Sequence, residues 1–80
     1  MKGEDIVIKD TKRPFRLYNA NSKTYLPWRN FKHAQRAHVG AMIDVRWAHV
    51  GTVIEVIDVA HGRMVGQYKR GVNDIKFLKG

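Results

Sequence analysis

Along this chain, apolar and polar side chains alternate in three stretches and switch to a helical period in one. Phe15-Arg16-Leu17-Tyr18 and Lys23-Thr24-Tyr25-Leu26 alternate on either side of the turn-rich Asn19-Ala20-Asn21-Ser22, which predicts a first hairpin ended by Pro27. From Phe31 the spacing changes. Phe31, Ala34, His38, Ala41, Met42 and Val45 share one side of a helix at about 100° per residue, and Asn30 is placed to cap it. The pattern predicts a helix over residues 31–47, weakened at Gly40, with the small Ala34, Ala37, Gly40 and Ala41 permitting close approach to whatever it packs on.

Thr52 to Val59 is apolar on both faces, as a central strand would be. A turn over Asp58-Val59-Ala60-His61-Gly62 returns the chain into Arg63 to Arg70 as its partner. Gly66 inside that partner strand predicts either a bulge or a place where the helix backbone comes close. Ile6-Val7-Ile8 is a candidate edge strand broken by the polar run before Pro14. Ile75, Phe77 and Leu78 in the tail are expected to cover a sheet edge or the helix flank. The expected architecture is α+β: a small two-layer domain over residues 1–80, an antiparallel sheet in ββαββ order with one helix packed across one face, and frayed ends at 1–5 and 79–80.

Composition narrows the class. Eighty residues with 44% hydrophobic side chains make one small folded unit rather than a disordered segment. The absence of cysteine rules out a disulfide scaffold and any thiolate zinc or thiol redox site. The N-terminus carries charge where a secretory signal needs an apolar run, and no stretch approaches the ~20 apolar residues of a membrane span. No membrane partner is therefore expected, and the expected location is the cytoplasm of a bacterial cell or a phage-infected host.

Charge changes the picture most. Fifteen Lys and Arg against seven Asp and Glu leave a net charge of +8, so an acidic partner is expected. No carboxylate occurs between Thr11 and Ile43, where Lys12, Arg13, Arg16, Lys23, Arg29, Lys32 and Arg36 all fall.

Catalytic signatures do not accompany this charge. No hydroxyl lies in a nucleophile-elbow pattern, and neither a P-loop nor a dinucleotide-binding glycine pattern occurs. Glu55 and Asp58 fall on opposite faces of one strand. His33 and His38, five apart, lie about 140° from each other around a helix, unlike an i, i+4 ligand pair. The chain is read as a non-enzyme without metal or cofactor, and His38, in the core-facing stripe, as a neutral imidazole bonded to backbone or to a tyrosine hydroxyl.

The leading expectation is a protein that binds DNA or RNA mainly through phosphates, using Lys12, Arg13, Arg16, Lys23, Arg29, Lys32, Arg36, Arg63, Lys69 and Arg70. Among Phe15, Tyr25, Trp28 and Phe31, at least half are expected to be core rather than stacking platforms, and no known nucleic-acid-binding motif is present. A second feature points elsewhere: Val39, Ile43 and Trp47 make the helix apolar on another side. The favoured explanation is cover by the tail. The alternative is an exposed anchor, formed by Trp28, Val39, Ile43 and Trp47, for an acidic surface of a larger, nucleic-acid-processing protein that the chain modulates or inhibits. A homodimer through Val39, Ile43 and Trp47 is a third reading. In size, positive charge and absence of catalytic residues the chain looks like the small accessory proteins that bacteriophages make to bind host machinery, a likeness that carries no residue across.

Overall fold

The computed structural model describes residues 12–80. Five antiparallel strands carry one helix in the order β-β-α-β-β-β: β1 (Phe15–Asn19), β2 (Thr24–Phe31), α1 (Ala34–Arg46), β3 (Val53–Asp58), β4 (Arg63–Arg70) and β5 (Ile75–Lys79). The sheet runs β2-β1-β3-β4-β5, so the strand with apolar residues on both faces is the middle one. The two-layer α+β domain expected from the pattern is what forms. Its extra strand comes from the tail, which pairs with β4, while Ile6-Val7-Ile8 lies outside the described residues.

Turn chemistry closes each hairpin. Asn19 Oδ1 accepts hydrogen bonds from the amides of Asn21 and Ser22 at 2.9 and 3.1 Å, and Lys23 follows with φ 59°. Asn21 then ties this turn to the next hairpin: its Oδ1 accepts from Val53 N at 2.7 Å and its Nδ2 donates to Gly51 O at 3.2 Å. In the second hairpin Gly62 adopts φ 63°, the left-handed backbone that a side chain disfavours.

The first hairpin is longer than its pattern predicts. Pro27 does not end it; β2 continues to Phe31, which pairs with Phe15. Between the pairs Tyr18↔Tyr25 and Arg16↔Asn30, Leu17 alone stands opposite Leu26, Pro27, Trp28 and Arg29. A bulge on an edge strand absorbs these residues and tolerates a proline that has no amide to donate. Trp28 takes φ 65° within it. Asn30 and Phe31 therefore belong to β2 and not to the helix, which starts at Ala34 with His33 as an N-cap that makes no side-chain capping bond.

The helix packs through its smallest residues. Ala37, Gly40, Ala41 and Val45 are buried, and Ala34 and His38 half-buried, whereas Met42 is exposed. The stripe is thus rotated from the one that weight of apolar side chain suggests, because small residues let the helix axis settle close to the sheet and leave Met42 outside. Beneath it lie Leu17, Ile54, Val56 and Tyr68, with Phe15, Leu26, Phe31, Val65 and Ile75 packed around them. Gly40 makes room for β2: a Cβ there would stand 2.6 Å from Phe31 Cζ and 3.1 Å from an Arg29 guanidinium nitrogen.

Gly66 marks a bulge, and what comes close to it is a helix side chain rather than the helix backbone. It pairs with Val56 beside a register shift in β4, and a Cβ on it would collide with the His38 ring, lying 2.8 Å from Nδ1. That ring is fixed by a 2.6 Å hydrogen bond between His38 Nδ1 and the Tyr68 hydroxyl, and Tyr68 in turn stacks edge-on against Phe77 at 5.3 Å. Gly66→Ala is expected to destabilise the domain by about 1–3 kcal/mol, the usual cost of overpacking, measured as a lower midpoint of urea unfolding. His38→Ala should remove part of that penalty in the double variant. An unchanged midpoint for Gly66→Ala alone would show that the ring does not confine this position.

Candidate functional site

The strands sort the basic residues by end of the domain. β1 begins, β2 ends, α1 begins, β3 ends and β4 begins at one end, which brings Arg13, Lys32, His33 and Arg36 around a shallow cavity of about 370 Å³ with Asn30 and Phe31. Among the described residues its lining contains no carboxylate. Lys12 is exposed next to it in sequence, and Arg63 is exposed at the same end of the sheet. The amides of the first helical turn open on this end without a side-chain cap or an acidic residue, and so add a partial positive charge to the four side chains.

Other members of the ten-residue basic set have structural positions. Arg16 is buried at 8% exposure in a strand paired on both sides, and period-two alternation with Leu17 turns it away from the helix. It is not the exposed phosphate contact expected of it. Arg29 Nε meets Asp44 Oδ2 at 2.8 Å, its Nη2 donates to Gly40 O at 3.3 Å, and its guanidinium lies 5.4 Å from the Phe31 ring centre. It joins β2 to α1 in a geometry that leaves little for a ligand. Arg70 donates from Nη1 to Gly71 O at 2.9 Å and to Val72 O at 3.4 Å, steadying the β4–β5 turn. Lys23 and Lys69 are exposed at the opposite end, and Lys69 stands across from Lys76 of β5.

The aromatics divide as expected. Phe15 and Phe31 pack on the core, and Tyr25 is half-buried with its ring edge-on to Tyr18 at 5.0 Å. Trp28 and Trp47 are 91% and 82% exposed. Val39 and Ile43 also remain open, so the tail does not provide the cover favoured for that side of the helix; only Ile75 reaches it. Sequence reasoning missed two contributors. Asn30, a helix cap by its sequence position, lines the cationic cavity, and Met42, a core residue by helical phase, stands beside Val39 and Ile43. The signal for Met42 was present in the run of small residues Ala37, Gly40 and Ala41, which marks the true contact face.

Two histidines have partners of their own: His38 holds Tyr68, and His61 Nδ1 lies 2.8 Å from Asp58 Oδ2. Among the described residues no group of three or more His, Cys, Asp or Glu side chains could hold a metal ion. Among the described residues no helix is long and apolar enough to cross a membrane. Burial pushes the Tyr68 phenol up, so its hydroxyl keeps its proton near neutrality. At Asp58 burial works upward too, but the hydrogen bond and charge of His61, with the amides of His61 and Ala60, outweigh it and hold the carboxyl below its ordinary value.

Asp58 predicts the acid limb of stability. With the folded value depressed, the unfolded chain binds more protons in the interval between the two values, so stability rises with pH there. The contribution is complete above the unfolded carboxylate value, about 4, and is lost as pH falls through the lower folded one. Asp58→Asn should therefore lower stability at neutral pH and flatten its decline at more acid pH, read by thermal unfolding across a pH series; an acid limb identical to wild type would refute the assignment. Comparison with known protein families, with curated proteins and with solved structures finds no match to this chain, so the site rests on its own residues.

Proposed function

We propose that this protein binds nucleic acid, mainly through phosphate oxygens, at the end of the domain where α1 begins. The observation that supports this most is the cavity lined by Arg13, Lys32, His33 and Arg36, with no carboxylate among its described lining residues. Lys32, His33 and Arg36 are exposed there, as are the neighbouring Lys12 and Arg63, and the helix dipole adds to the same field. Such a surface neutralises phosphates and releases their counterions, which makes binding tight at low salt and weakly sensitive to sequence. Burial of Arg16 and the bonds of Arg29 and Arg70 within the fold weigh against them as contacts, and of the other seven Lys12, Arg13, Lys32, Arg36 and Arg63 gather at one end while Lys23 and Lys69 lie at the other.

Contact with three or four phosphates gives a slope of log affinity against log salt of about −3, so affinity should fall about 60-fold between 50 and 200 mM salt. Lys32→Gln should lower the magnitude of that slope by about one, as loss of one phosphate contact does, while Lys23→Gln and Lys69→Gln at the far end leave it unchanged. Fluorescence anisotropy with labelled single-stranded and duplex DNA and with RNA measures both quantities. Absence of binding to all three at low salt, or equal effects of the near and far variants, would falsify the reading.

A further inference from the structure

The outer face of α1 is unusual for a surface helix. Opposite its packed side, Val39 and Ile43 are 46% and 48% exposed and Met42 38%, at positions that charged residues ordinarily occupy. Scattered exposed apolar residues carry no meaning, but these three are neighbours at i, i+3 and i+4 and form one ridge. A groove of about 520 Å³ separates the ridge from β2, and a second of about 280 Å³ separates it from the start of β5 at Ile75.

Charge identifies what such a ridge would accept. Arg36 precedes Val39 by three residues and Arg46 follows Ile43 by three; both are exposed, and neither has an ion-pair partner among the described residues. Asp44, the only acid in α1, is taken by Arg29. The face is therefore aliphatic in the middle and positive at both ends, with the two arginines about 15 Å apart along the axis. A second copy would bring arginines against arginines on a chain that carries a net charge of +8. Nucleic acid gains nothing from the ridge, since aliphatic side chains offer neither donors for phosphate nor rings for bases.

We propose that this face docks an acidic amphipathic segment of another protein, its apolar side chains entering the two grooves and its carboxylates meeting Arg36 and Arg46. The occupant differs from the phosphate ligand proposed above, and the ridge itself lies outside that cavity. Trp47, one further i+4 step beyond Ile43, is exposed at the helix end and reports on occupancy through its fluorescence.

The test uses three labelled peptides of about 18 residues, enough for five helical turns: an amphipathic helix with leucine on one face and glutamate flanking it, a scramble of the same composition, and a version with lysine replacing glutamate. The first should bind and the other two should not. The double variant Val39→Ser with Ile43→Ser should weaken the first peptide at least about tenfold, the loss typical of central interface residues, and leave DNA affinity unchanged. Arg46→Glu should weaken the peptide independently, and sedimentation should find a monomer throughout. The proposal is overturned if no peptide binds, if the scramble binds equally well, or if the serine variant keeps its peptide affinity. It is also overturned if that variant loses DNA binding, which would assign the face to nucleic acid, or dissolves a dimer, which would assign it to a second copy. Because all the substituted positions are exposed, thermal unfolding should be close to wild type and separates lost contact from lost fold.

Discussion

The distance between α1 and the sheet governs the rest of this small domain. Ala37, Gly40 and Ala41 present almost no side chain to Leu17 and Val56, and Gly66 presents none where His38 comes down. Close packing of this kind gains dispersion contacts along the whole crossing but leaves no slack, so larger groups are displaced to the rims. On one rim Phe31 and Arg29 lie against Gly40; on the other His38 reaches Tyr68. Two polar bonds follow from that approach: the Arg29–Asp44 pair and the His38–Tyr68 bond both connect helix to sheet just outside the small-residue contact.

The same approach explains which parts of the fold were legible in the sequence. Strands β3 and β4 were readable because period two and the turn at Gly62 agree, and the helix because its period extends over several turns. Asn30 and Phe31 are ambiguous in the sequence because a capping residue and an apolar residue before a helical run look identical to the end of a strand; only their pairing with Arg16 and Phe15, far back along the chain, distinguishes them. Met42 was misplaced because a stripe weighted by apolar size favours methionine over glycine, whereas a helix held close to a sheet favours the reverse. The fifth strand was seen only as an apolar tail, since its pairing depends on an edge that β4 creates.

Site residues show a similar division. Net positive charge and its concentration before Ile43 were plain in the sequence, but not which cations the fold would occupy. Arg29 and Arg70 have the same chemistry as Arg36 and differ only in having an acid or a carbonyl at the right distance. Exposure of Trp28 and Trp47 likewise could not be read from their neighbours. It follows from a bulge in one case and a helix terminus in the other.

That bulge reaches beyond the placement of one tryptophan. An open sheet has two outer strands whose unpaired amides and carbonyls can template a foreign strand, and here both are blunted. β2 is interrupted by Pro27, which has no amide to offer, and by the left-handed turn of backbone at Trp28, while β5 carries Lys76 and Lys79. Both edges of the described sheet thus carry features that disfavour pairing with a foreign strand.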